Sequence, residues 1–228
     1  MIERILPPAA VAAELFVDEP AELFPAEEAA IAQAVGKRRR EFTSVRVCAR
    51  RALAGLGQPP APLVPGERGA PRWPDGVTGS MTHCDGYRGC VVARTADLAS
   101  VGLDAEPNDV LPARVEPVIA LPAERAHIAA LAAADPGVCW DRLLFSAKEA
   151  VYKAWYPVTG RWLGFEQASI EFAVGGDGGG DARRGQRNGA VQGTFTARLL
   201  VPAPVPAFTG RWLCSGAHIL ALVLNDAP

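Results

Sequence analysis

The chain has 228 residues, a formal net charge of −2, and 49% hydrophobic against 21% charged residues. That length supports one large domain or two small ones around a sizeable core, and the charge argues against a surface built for nucleic acid. Five scattered cysteines without a C-x-x-C pair (Cys48, Cys84, Cys90, Cys139, Cys214) suit reduced thiols better than a disulfide frame or a zinc site.

The opening Met1-Ile2-Glu3-Arg4 lacks a signal-peptide pattern. No apolar run approaches the ~20 residues that span a bilayer. The expectation is a soluble cytoplasmic protein with neither a membrane nor a nucleic-acid partner. Residues 25–56 have helical spacing, with Ile31, Val35, Phe42, Val45, Ala49, Leu53 and Leu56 at three- and four-residue steps before a stop at Gly57 and Pro59-Pro60. Arg38 falls on that stripe and needs an anionic partner or a kink at Gly36.

Residues 59–79 read as a turn-rich connector, and 81–94 and 99–106 as strands punctuated by Gly86 and Ala96-Asp97. A helix is expected over 121–134, from Pro122 to the Asp135-Pro136-Gly137 stop. A second is expected over 140–156, ended by Pro157, with Trp140, Leu143, Leu144, Ala147, Val151, Ala154 and Trp155 on one face. Phe145, Glu149, Tyr152 and Lys153 occupy the other. Strands follow over 169–174, 194–201 and 217–224, and the Gly-rich 175–189 reads as a hairpin tip rather than a phosphate loop. His127 and His218 read as structural, and a Cys84–His83 dyad is rejected because strand neighbours point to opposite faces. Each half runs helix then strands, which permits two similar subdomains, with Arg161-Trp162-Leu163 and Arg211-Trp212-Leu213 as a faint echo.

Two acidic motifs carry the chemistry. Gly102-Leu103-Asp104-Ala105-Glu106 places two carboxylates at i and i+2, on one face of a strand. Lys148-Glu149-Ala150-Val151-Tyr152-Lys153 places Glu149 and Lys153 one helical turn apart. Three convergent carboxylates repel one another unless a cation lies between them. Hard oxygen donors favour Mg²⁺ with phosphate.

At these motifs the chain resembles the 4′-phosphopantetheinyl transferases. The resemblance extends through Lys37-Arg38-Arg39-Arg40-Glu41-Phe42, Cys48-Ala49-Arg50, Trp73-Pro74, Gly79-Ser80-Met81-Thr82-His83-Cys84 and Arg161-Trp162-Leu163-Gly164-Phe165. It is to the monomeric two-lobed group, in the enterobactin-synthase and actinobacterial branch. It implies an α/β (α+β) fold of two pseudo-symmetric lobes, 1–110 and 111–228, each a small mostly antiparallel sheet with helices, and an active site in the cleft between them.

The implied reaction moves the phosphopantetheine arm of coenzyme A to a serine of an apo acyl or peptidyl carrier protein of fatty-acid, polyketide or non-ribosomal peptide synthesis. By the same resemblance Asp104, Glu106, Glu149 and the carbonyl of Ala105 hold Mg²⁺, with Mn²⁺ as a substitute. Glu149 takes the serine proton, directly or through water; Lys153 and Lys148 face the phosphates. Arg38, Arg46, His83 and Thr82 meet the 3′-phosphate, and Arg68 is a further basic contact, while Pro65 stands where relatives carry lysine. Phe145, Tyr152 and Trp162 are candidates to wall the arm, and 111–134 to dock an acidic carrier. Two rivals stay open: a magnesium-dependent nucleotide or coenzyme A phosphohydrolase, and a non-catalytic carrier-binding relative.

Overall fold

The computed structural model describes residues 1–175 and 189–227; most of the Gly-rich 175–189 segment lies outside them. Among the described residues eight strands form two antiparallel sheets. β1 (Ala10–Leu15), β3 (Tyr87–Arg94) and β2 (Val77–Cys84) lie side by side in that order. The second sheet has the order β4 (Leu98–Pro107), β8 (His218–Asp226), β7 (Ala207–Ser215), β6 (Ala190–Leu199), β5 (Ala168–Val174). The helices are α1 (Pro25–Ala30), α2 (Gly36–Gly55), α3 (Glu116–Ile119), α4 (Pro122–Ala134) and α5 (Trp140–Thr159).

Strand alternation sorts the core into layers. Tyr87, Val91 and Ala93 of β3 pack with Val101, Leu103 and Ala105 of β4 and with Leu220 and Leu222 of β8, joining the two sheets. The intervening Cys90 and Val92 face α2, against Cys48, Ala49, Ala52 and Leu53. On the far side Ile219, Ala221 and Val223 meet α5 through Leu143, Ala147, Val151 and Ala154. The result is α2, three-stranded sheet, five-stranded sheet, then α4 and α5.

β4 lies within residues 1–110 but hydrogen-bonds along β8, so the change of sheet falls between β3 and β4. β2 and β4 meet without a backbone ladder. Ser80 Oγ donates to Leu103 O at 3.4 Å, and Ala105 N donates to Thr82 Oγ1 at 3.0 Å. Gly102 lets α5 lie on β4: a Cβ there would stand 1.8 Å from Ala150 O.

Several elements differ from the sequence reading. The 25–56 helix is two helices, broken where Val35 turns outward at 73% exposure, with Gly36 opening the second helix rather than lying inside it. α5 runs past Pro157 to Thr159 and is closed by Gly160 at φ 63°, so Pro157 removes one helical hydrogen bond near the end without stopping the helix. β1 and β7 were not expected; Ala-rich and Gly/Arg-interrupted segments carry a weak period-2 signal. The Arg-Trp-Leu echo has no structural counterpart, since Arg161 and Trp162 lie in a loop and Arg211 and Trp212 in β7. Among the described residues no helix is long and apolar enough to cross a membrane.

A different internal correspondence is present. Phe24-Pro25-Ala26-Glu27 opens α1 and Leu121-Pro122-Ala123-Glu124 opens α4. In each, proline at the first helical position is followed by a buried glutamate that takes the N–H of the capping residue: Glu27 Oε2 from Phe24 at 3.0 Å, Glu124 Oε2 from Leu121 at 2.7 Å.

Candidate active site

Asp104 and Glu106 project from one face of β4 while Leu103 and Ala105 point into the inter-sheet core. Asp104 is buried and richly bonded. Lys153 Nζ donates to its Oδ1 at 2.7 Å and to Leu103 O at 3.0 Å; Ser146 Oγ donates to its Oδ2 at 2.9 Å. Thr82 Oγ1 lies 3.4 Å from Asp104 Oδ1. Ser146, Glu149 and Lys153 follow one another at three and four residues, so one stripe of α5 faces β4. Glu106 pairs with Arg142 Nη1 at 3.0 Å, and the same guanidinium holds Asp109 O and Val110 O.

The carboxylates oppose one another. Burial, then the charge of Asp104, pushes Glu106 and Glu149 above the usual carboxylate range, and Lys153 pulls both back. Among the described residues no three His, Cys, Asp or Glu side chains gather tightly enough to hold a metal. The preassembled three-carboxylate cage is therefore not observed: the Lys153 ammonium lies on Asp104 and Arg142 on Glu106. The donor set still fits a hard divalent cation, being oxygen-only with mutually repelling charge. Ala105 N points to Thr82, and on a strand the N–H and C=O of one residue share an edge, so its carbonyl faces β2.

Glu149 and Lys153 line one end of a cavity of about 590 Å³ between α5, β2 and the 68–73 connector. A second cavity of about 180 Å³ shares Glu149 and Tyr152 and is walled by Trp162, Phe165 and Ala168. Tyr152 Oη is buried without a hydrogen-bond partner, its ring 5.0 Å from that of Trp162, which is 61% exposed. Phe145 instead lies against Phe165, ring centroids 5.8 Å apart and tilted by 39°, and packs against the core.

Arg38 Nη1 meets His83 Nε2 at 2.6 Å. Burial and the Arg38 charge push the His83 pKa below its ordinary value, against the pull of Glu41. Arg38 is exposed, so its place on the apolar stripe is resolved by the break before Gly36. Arg46 is buried, donating from Nε and Nη2 to Leu63 O at 3.2 and 3.0 Å and stacked 3.2 Å over Phe42. Burial lowers it to about 10, with Glu27 opposing the shift. Arg68 adopts φ 53°, lines the larger cavity, and lies 5.8 Å from the Trp162 ring.

Lys148 lines the smaller cavity with Glu149 and Tyr152, but its side chain is almost wholly buried. Its ammonium meets Ile119 O, Glu124 Oε2, Phe165 O and Ala168 O at 2.7–3.0 Å. One residue is about 100° of helix, so Lys148 is turned from Glu149 toward the side of Leu144, Val151 and Trp155. Ser146 and Arg142 were missed as site residues. Ser146 carries a readable signal, lying three residues before Glu149; Arg142 carries none. His127 and His218 bond Phe172 and Asp85 backbone atoms, as expected of structural histidines. Cys84 lies with Sγ on Asp85 O, and burial pushes it up to about 12.

Residues 26–93 match the 4′-phosphopantetheinyl transferase N-terminal domain, and residues 100–193 the 4′-phosphopantetheinyl transferase superfamily. The 4′-phosphopantetheinyl transferase Svp of Streptomyces mobaraensis is 52% identical over 238 residues, covering 100% of this chain and 90% of the relative. The transferase Npt of Nocardia iowensis is 48% identical over 231 residues, 98% and 99% of the two chains. PptT of Mycobacterium tuberculosis is 46% identical over 219 residues, 93% and 90%. A two-sheet α/β fold with a lysine–carboxylate cluster beside a cavity and these matches define a group-transfer enzyme. The chain belongs to the 4′-phosphopantetheinyl transferase family.

Proposed function

We propose that this transferase uses coenzyme A as donor and a serine of an apo acyl or peptidyl carrier protein as acceptor, as a cytoplasmic monomer. The observation that carries the reading is that Glu149 and Lys153 line the 590 Å³ cavity while Lys153 is bonded to the buried Asp104, with the Arg38–His83 pair one strand residue beyond Thr82. Arg38 and His83 suit the 3′-phosphate of the nucleotide. Arg68 stands at the cavity wall as a further cation, and Arg46 acts from behind, through its charge.

Serine oxygen attacks the phosphorus that bears the pantetheine arm. The bond to the bridging oxygen breaks, and adenosine 3′,5′-bisphosphate leaves with the electron pair. Glu149 takes the serine proton; burial and Asp104 make it a stronger base than an exposed carboxylate. Lys153, already on Asp104, neutralises charge on the transferring group. A divalent cation, Mg²⁺ with Mn²⁺ as alternative, would be held by Asp104 and Glu149 with Glu106 and the Ala105 carbonyl, and supplies charge neutralisation at the pyrophosphate. Tyr152 and Trp162 would exclude water beside the arm.

The test is to incubate the protein with coenzyme A, Mg²⁺ and an apo acyl carrier protein and weigh the carrier. Gain of one phosphopantetheine supports the reading. An unmodified carrier with coenzyme A consumed marks a hydrolase, and carrier binding without either change marks a non-catalytic relative. Glu149→Gln and Asp104→Ala are expected to abolish modification with the fold intact; full activity in either sinks the assignment.

A further inference from the structure

The two Pro-Ala-Glu helix starts lead to matching buried networks. In the first, Glu27 Oε2 takes Phe24 N–H and Arg50 Nη2, and Oε1 takes Leu63 N–H at 2.9 Å. In the second, Glu124 Oε2 takes Leu121 N–H and Lys148 Nζ, and Oε1 takes Ile170 N–H at 2.7 Å. The same oxygen serves cap and cation in both, and the other oxygen serves a distant strand or connector. Both glutamates are fully buried, and their cations come from the long helix of the same lobe, α2 or α5.

We propose that Lys148 is a positioning residue: it is the C-terminal counterpart of Arg50, and through Glu124 it sets the Glu149 carboxylate and the 162–168 cavity wall without touching substrate. Four protein oxygens compete for the three protons of its ammonium, so none is left for a phosphate. Those oxygens belong to α3, α4, the 165–167 turn and β5. Lys148 itself, with Phe165 and Ala168 among its partners, lines the 180 Å³ cavity that Glu149 and Tyr152 share. Lys148 thus fixes the roll of α5, which aims Glu149, and the distance from α5 to that wall.

The inference rests on the transferase reading and is tested on the full chain with coenzyme A and an apo acyl carrier protein. Lys148→Met, Glu124→Gln and the apolar pair Lys148→Met/Glu124→Leu are compared for kcat and, calorimetrically, for coenzyme A dissociation constant. Each single variant is expected to lose at least tenfold in kcat with the dissociation constant within threefold of wild type. The double variant should lose no more than the worse single, because the two residues act as one unit. The double variant replaces the ion pair by apolar volume, so it carries the comparison if a single variant unfolds. A tenfold weaker coenzyme A affinity in Lys148→Met, with Glu124→Gln at wild-type values, would overturn the proposal in favour of direct phosphate contact. A folded double variant with wild-type kcat would overturn it too. Wild-type protein that leaves the carrier unmodified would refute the transferase reading instead.

Discussion

Gly102→Ala probes how closely α5 must lie on β4. The added methyl would stand 1.8 Å from Ala150 O and 2.9 Å from both Ala150 C and Ala154 N, all backbone atoms of α5 that cannot rotate away. Relief requires the helix to withdraw by about 1 Å or more, since carbon contacts are comfortable only near 3.5 Å. Overpacking of this kind costs about 2 kcal/mol, which in a chain of this size is a fall in Tm of about 4–8 °C. The same withdrawal lengthens the Lys153 bonds to Asp104 and Leu103 O, now 2.7 and 3.0 Å. A 1 Å misplacement of reacting groups costs about 10²-fold in rate. Thermal unfolding and carrier modification followed by mass spectrometry are the two assays. A variant within 1 °C of wild type, or one modifying carrier at more than half the wild-type kcat/KM, would refute the close-contact argument.

Ser146→Ala removes the donor to Asp104 Oδ2 and should weaken divalent-cation affinity by about tenfold; Mn²⁺ titration followed by electron paramagnetic resonance measures it, and unchanged affinity contradicts the assignment. Glu27→Ala leaves Arg50 and Leu63 N without their acceptor, and should cost about 3–5 kcal/mol in denaturant unfolding. His83 should titrate below 6.5 in ring NMR spectra, and Arg38→Ala should raise it. Because the folded protein then binds fewer protons than the unfolded chain, His83 contributes stability above about pH 6.5 that is lost as pH falls below that value. Adenosine 3′,5′-bisphosphate should raise the same pKa; no movement would take the phosphate away from His83.

The acid pair on β4 was legible because a strand has period 2, and Glu149 with Lys153 because a helix brings i and i+4 together. The α/β class and the α4 boundaries followed from its proline start and turn-residue stop. The partners of Lys148 could not be read from the motif, because adjacent letters ignore helical rotation; its spacing from Leu144 and Val151 puts it on the apolar face. The ammonium is tolerated there only because Glu124 and three carbonyls arrive from elsewhere in the chain, a tertiary fact that no local pattern contains. The Glu27 and Glu124 networks escaped notice for the same reason, since their partners lie 23 to 46 residues away. β1 was hidden by its alanines, which pack as readily in a helix as in a strand.

The seam between β2 and β4 has a mechanical meaning. α1 with α2 and α4 with α5 are each braced by a buried glutamate, whereas across the seam the hydroxyls of Ser80 and Thr82 stand where a backbone ladder would. The two sheets also share an apolar core, so the seam is held through side chains. Arg38 and His83 lie on its β2 side, Asp104 and Glu149 on its β4 side. A ligand long enough to touch both sides would act as a splint across it.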